Sequence, residues 1–281
     1  MKRIAHYIIA IIFLSCDPVI ITVELPSAQN LITIESWLSS NEQIQQVRLS
    51  RSNGFSDPIQ VANIDDAEVI IQSRIGETYL FSYVENGVYS SNIPFAGIIN
   101  QEYRLRIFLA DGEELRSNWE RMQPAVTIEA VDINSFEEND PENPGEQFTV
   151  FFPKITAEDS ANFTNNYRWL FYKDRERYTD PESITIQNDR LFDGNLIPNN
   201  FQSFSYAEGE EIIIELQSIT QSAYNYLSLL RSQITSLGTS TGTTPATVTG
   251  NVFYQSEEQD ELILGYFGTV SVSRDTVVVG L

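Results

Sequence analysis

Very few side chains in this sequence can do covalent chemistry. One cysteine, Cys16, and one histidine, His6, stand close together near the start of the chain. A lone thiol cannot close an intramolecular disulfide or form a CxxC redox or metal pair. Its setting points to a different fate. Lys2 and Arg3 give a positive start, Ile4 to Leu14 is almost wholly apolar, and Ser15 places a small residue just before the thiol. This is the layout of an export signal, and it is too short for the roughly 20 apolar residues that a membrane-spanning helix needs. Cleavage ahead of Cys16 would expose it at a new N-terminus, where bacterial lipoproteins receive acyl chains such as palmitate. Phe13 departs from the usual signal, in which leucine is commonest at that place. Each buried methylene contributes about 0.8 kcal/mol and stable anchoring takes more than one chain. The expectation is a signal peptide over 1–15 and a lipid-anchored tether over 16–29.

Cleavage there also removes His6. The rest of the chain then has no imidazole and no free thiol, which excludes Ser-His-Asp and Cys-His catalysis, the HExxH zinc site and imidazole-ligated metals. No GxGxxG or Walker loop is present. Adjacent carboxylates such as Asp65-Asp66 and Glu113-Glu114 could act as general acid and base, as in glycoside hydrolysis. With 39 acidic residues, such pairs arise by chance. Glu137, Glu138, Asp140 and Glu142 could attract calcium, but no DxDxDG loop surrounds them and Pro141 and Pro144 break the stretch. A solvated surface loop accounts for them, and no metal, cofactor or enzymatic activity is expected. Tyr167, Trp169 and Phe171 share one face of a strand, with Leu170 and Tyr172 on the other. Exposed, the three rings could stack a glycan or seat a peptide or partner; a strand buried on both faces reads the same way. They are the candidate ligand-binding residues. A net charge of −22 repels nucleic acid and anionic head groups, so neither is an expected partner.

The elements that must carry these residues are mainly strands. Alternation marks Leu31 to Trp37, Gln43 to Ser50, Ala67 to Gln72 and Glu77 to Val84, and Asn86-Gly87 turns the chain into Val88-Tyr89. Glu102 to Ala110 is the clearest: Tyr103, Leu105, Ile107 and Leu109 share a face opposite Arg104 and Arg106, and Asp111-Gly112 leads to a return strand over Glu114 to Trp119. Pro124 marks a boundary, and further strands are read over 126–131, 147–152, 167–172, 183–187, 211–216, 251–254, 261–267 and 269–279. Between them, Ala223, Tyr226, Leu227, Leu230, Ile234 and Leu237 recur at helical spacing, Ser218 with Gln221 offers a capping box, and Gly238 follows as a stop. The fold expected is mainly β: a β-sandwich-like domain over 30–124, and a second over 125–281 carrying one amphipathic helix near 219–237.

Several stretches resemble a known family. Cys16-Asp17-Pro18 with Val47-Arg48-Leu49-Ser50-Arg51-Ser52 resembles the opening of Bacteroidota lipoproteins grouped as the domain-of-unknown-function family number 4249. Phe95-Ala96-Gly97, Tyr103-Arg104-Leu105 and Asp111-Gly112 resemble its central hairpin, and Ser222-Ala223-Tyr224-Asn225-Tyr226 its helix. Gly250-Asn251-Val252 with Gly265-Tyr266-Phe267 is similar to its closing signature. The likeness implies a transthyretin-like regulatory sandwich in the first half and an outer-membrane lipoprotein, on the periplasmic face or the cell surface, often encoded beside TonB-dependent transporters. It brings no catalytic residues.

The leading expectation is therefore a lipid-anchored accessory protein that binds a TonB-dependent transporter or its substrate. A stand-alone adhesin or glycan-binding module is the alternative, and a carboxylate hydrolase the least favoured reading. Replacing Cys16 by alanine is expected to abolish acyl labelling and release the protein from membranes. Unchanged membrane retention of the C16A variant in a fractionation assay would refute the anchor.

Overall fold

The computed structural model describes residues 31–52, 62–140, 143–180, 183–199, 201–236, 248–256 and 261–280. Cys16 and the tether lie outside them. The first half contains β1 (Ile32–Ser39), β2 (Gln46–Arg51), β3 (Ala62–Asn63), β4 (Glu68–Ser73), β5 (Thr78–Glu85), β6 (Val88–Ser91), β7 (Glu102–Phe108), β8 (Glu114–Ser117) and β9 (Glu120–Arg121). A long hairpin follows, β10 (Ile128–Asn139) and β11 (Gln147–Ala157), then β12 (Asn166–Lys173), β13 (Glu176–Arg177), β14 (Thr185–Asn188) and β15 (Glu211–Ser218). One helix, α1 (Gln221–Ser236), precedes β16 (Val252–Tyr254) and β17 (Leu264–Val278). Among the described residues no helix is long and apolar enough to cross a membrane.

The protein is mainly β, with a hydrophobic core in each half, as the alternating pattern requires. On β7, Tyr103, Leu105 and Ile107 are buried, while Arg106 on the other face donates to Glu114 at 2.7 Å. The acidic stretch expected to interrupt the strands instead caps a hairpin, because β10 runs on to Asn139 and pairs with β11 in register. The helix starts later than its capping box suggests. Ser218 still pairs with Ser271 in the sheet, and the cap is Thr220, whose Oγ1 accepts from the Ala223 amide at 3.1 Å.

Fifteen strands are strung in two ladders that share one member, and β10 with β11 forms a separate pair. β17 lies between β15 and β1 in the strand order. Its first part, Leu264 to Val270, pairs in parallel with β1, and Ser271 to Val278 pairs antiparallel with β15. A single strand thus replaces the two read on either side of Gly268. Because β16 also pairs with β8, the last strands of the chain return to the first half, across the boundary placed at Pro124. The segment leading to that proline runs beneath β17. Thr269 donates to the Arg121 carbonyl at 2.9 Å, Ser271 donates to the Gln123 carbonyl, and the Ile128 amide donates to Ser273 Oγ at 2.9 Å. The alternation of hydroxyls with Val270 and Val272 sends hydroxyls to the linker and valines to the opposite face.

The parallel junction depends on glycine. Gly265 has a φ of +92°, and a Cβ there would lie 1.8 Å from the Ile34 carbonyl oxygen. Gly265→Ala is therefore expected to cost roughly 3 kcal/mol or more through strain and backbone collision. Urea unfolding should show this as a lower midpoint at unchanged slope; a midpoint equal to that of the parent would contradict the pairing of β1 with β17.

Candidate functional site

The two faces of the shared sheet differ in kind. One buries the cores: Ile34 and Leu38 of β1, Tyr167, Trp169 and Phe171 of β12, and Ile214 and Leu216 of β15. On the other face α1 covers only part of the surface, through Ala223 and Leu227 packed near Tyr266 and Val270. The uncovered part is a cleft of about 550 Å³. Register brings its walls together: Arg168 opposite Gln217, Leu170 opposite Glu215, Glu215 opposite Arg274, and Glu35 opposite Arg48. A smaller recess of about 310 Å³ toward α1 shares Glu35, Trp37, Arg168, Leu170 and Arg177 with it.

Arg168 sits at the divide between the two. Its guanidinium carbon lies 4.6 Å above the Trp37 ring, which stacks on Tyr266 at 5.8 Å, which in turn stacks on Tyr226 of the helix at 4.7 Å. Trp37 can lie flat on β17 because its partner there is Gly268, where a Cβ would approach the indole to 2.4 Å. Burial, and then repulsion from Arg177, pulls the Arg168 pKa down to about 10, so it remains a cation at neutral pH. Among the described residues it has no hydrogen bond and no ion pair. Arg274 reaches Glu215 at 3.6 Å, but nothing comparable reaches Arg168.

Behind this stack lies a buried carboxylate. Tyr266 donates to Glu120 at 2.6 Å, Thr220 at 2.5 Å, Ser222 at 3.0 Å and Asn251 at 3.3 Å. Burial pushes the Glu120 pKa up, and the four donors only partly offset it. Among the described residues no cation is paired with it; the start of α1, carrying Thr220 and Ser222, contributes its positive end. Asn251 also donates to the Phe267 carbonyl at 2.8 Å and accepts from the Phe267 amide at 2.9 Å, taking the place of a missing strand neighbour. A Cβ on Gly250 would lie 1.8 Å from the Gly265 carbonyl oxygen. The stretches 222–226, 250–252 and 265–267, far apart in sequence, thus meet around one carboxylate.

The sequence-predicted sites fall elsewhere. Tyr167, Trp169 and Phe171 are core residues, not a platform: Trp169 is 0% exposed and packs on Phe201 at 5.1 Å. Its indole donates to Gln187 at 2.8 Å, leaving no ring face for a ligand. What the reading missed was the other face of the same strand, where Arg168 is the one charge within the run Tyr167 to Tyr172. Glu114 is held below the usual carboxylate range, since hydrogen bonds from Arg106 and Arg116 outweigh the effect of burial. It is spoken for structurally. Asp65 and Asp66 occupy the turn before β4. Glu137 and Glu138 are consecutive on β10 and point to opposite faces, so they cannot converge on an ion. Glu142 lies outside the described residues. Among the described residues, the carboxylates that do converge are Asp159, Asp189 and Asp193, with ligand oxygens within 4.8 Å of one another. They could hold a metal, yet Tyr167, Asn165 and the Gly194 amide already donate to Asp159, and the Asn165 amide donates to Asp189.

Fold and cleft together define a mainly β protein whose open sheet face carries one helix beside an arginine-lined recess. The chain belongs to the family described as a domain of unknown function (DUF4249), which matches residues 20–276. No curated protein matches the sequence.

The Glu120 site has a pH signature. Its folded pKa is raised above the ordinary 4.5, so its contribution is fully present below that value and is lost as pH rises through the folded pKa. The stability difference between the parent and Glu120→Gln, measured by denaturant unfolding, should therefore move in favour of the variant between about pH 4.5 and 7. A difference that is flat over this range would contradict the raised pKa. Glu120→Ala is expected to cost about 3 kcal/mol, by stranding four donors.

Proposed function

We propose that this protein is a lipid-anchored binding subunit of the outer membrane, working as an accessory to a TonB-dependent transporter. Cys16 holds it to the membrane, and the cleft beneath Arg168 holds its ligand. The observation that carries the binding role is the cationic Arg168, fixed on Trp37 and opening into a cleft of about 550 Å³ with no ion pair among the described residues. Pockets of 300–1,000 Å³ with a few fixed polar groups are the usual form of small-ligand sites. The anchor is supported by the sequence from Lys2 to Cys16, and the transporter partnership by the family likeness. A non-enzymatic role agrees with a cleft lined by arginine, glutamate, glutamine and aromatic residues. The stand-alone glycan-binding reading loses its motive once Trp169 is in the core.

Purification of the native lipoprotein from detergent-solubilised membranes tests this. Recovery together with a β-barrel transporter is the expected outcome. Recovery alone, repeated across mild detergents and with cross-linking, would remove the accessory role.

A further inference from the structure

The charge of the cleft runs against that of the molecule. The chain carries −22 overall with 17 basic residues, yet Arg48, Arg168, Arg177 and Arg274 all line this one recess. Of its two glutamates, Glu215 is engaged by Arg274 at 3.6 Å and by Gln217 at 3.0 Å, while the exposed Glu35, register partner of Arg48, acts on Arg168 only through space and forms no ion pair with it. Arg168 and Arg177 are left over. They repel one another, and neither has an ion pair among the described residues. A partly buried guanidinium without an acceptor is costly, because its donors have given up water for nothing.

A second group beside it is also unsatisfied. Gln217 is 5% exposed, lines the cleft, and donates through Nε2 to Glu215 at 3.0 Å. That bond fixes the amide and leaves Oε1 buried with no donor. Gln217 is the register partner of Arg168, so an unmet fork of donors and an unmet acceptor lie side by side on adjacent strands.

We infer that the cleft binds a carboxylate with an N–H or O–H one or two carbons away: the carboxylate takes the Arg168 fork, with Arg177 as second cation, and the donor turns to Gln217. This rests on the reading of the protein as a binding subunit. A planar carboxylate matches a guanidinium through two parallel hydrogen bonds. Phosphate fits less well, because its further oxygens want backbone amides, and here the amides of the floor are engaged in strand pairing. Sugar stacking on Trp37 is blocked, since Arg168 and Tyr266 already lie against the indole. Two sources offer the required chemistry: a peptide C-terminus and a uronic acid.

Calorimetric titration of the full-length lipoprotein in detergent micelles separates them. The probes are N-acetyl-alanyl-alanine and its C-terminal amide, glucuronate and glucose, and inorganic phosphate. Saturable binding of either acid, with the matching neutral compound weaker by roughly tenfold or more, is expected. Arg168→Met, which keeps an apolar stem over Trp37, should lose the same factor while keeping the parent's melting temperature. Gln217→Leu should weaken the acid by roughly fivefold, the scale of one hydrogen bond. Binding of peptide acid or of glucuronate identifies the source. No binding of either acid, phosphate as the sole anion bound, or affinity unchanged in Arg168→Met each overturns the inference. Equal binding of an acid and its neutral counterpart also overturns it, yet leaves the cleft as a binding site, and co-purification with a transporter tests the subunit reading independently.

Discussion

Leu264–Val278 has to complete two sheets at once. At about 3.3 Å per residue it extends for roughly 50 Å, giving its first part to β1 and the rest to β15. Each half of the molecule would otherwise present an open edge, with a row of unpaired amides and carbonyls. The hand-over at Val270 and Ser271 fixes where the halves meet. Hydroxyls of Thr269, Ser271 and Ser273 fasten the connecting segment under one face, and the valines between them leave the other face for the helix and the cleft. The recess therefore exists because two ladders are joined along one strand, and its walls are drawn from both.

Two ionisable groups without an ion pair stand at opposite ends of a short stack through this junction. Among the described residues Glu120 is buried with hydroxyls and an amide but pairs with no cation, and Arg168 lies over Trp37 with no ion pair. Trp37 and Tyr266 lie between them, Tyr266 touching the indole with its ring and the carboxylate with its hydroxyl. The separation has a physical logic. Pairing the two ions directly would neutralise the cleft, whereas satisfying Glu120 with four neutral donors leaves the arginine's charge available at the surface. Direct pairing would also demand full desolvation of both ions, a cost that mutual attraction often fails to recover.

Most strands were legible from alternation, because one buried face forces a period of two, as on β7. The helix was legible from Ala223, Tyr226 and Leu227, though its cap was not: Ser218 looks like a cap until the sheet claims it. The family signature was visible as residues but not as a site, since Ser222, Asn251 and Tyr266 are brought to Glu120 only by the fold. The aromatic strand misled for a definite reason. Tyr167, Trp169 and Phe171 are the conspicuous residues, and conspicuous rings on a strand are ordinarily core. The informative residue was the arginine between them, and its lack of an ion pair among the described residues is a three-dimensional fact that spacing cannot carry.

The parallel pairing of β1 with β17 also orders events in time. Thr33 and Leu264 are register partners although more than two hundred positions separate them, so this contact closes a very long loop and is paid for in loop entropy before it returns any energy. Neither ladder can reach its final form while the last strand is still absent. A growing chain would keep one edge of β1 unmatched until Leu264–Val278 emerges, since β2 covers only the other edge, and the two ladders would then lock together. Assembly in this protein waits on β17, which closes both halves together.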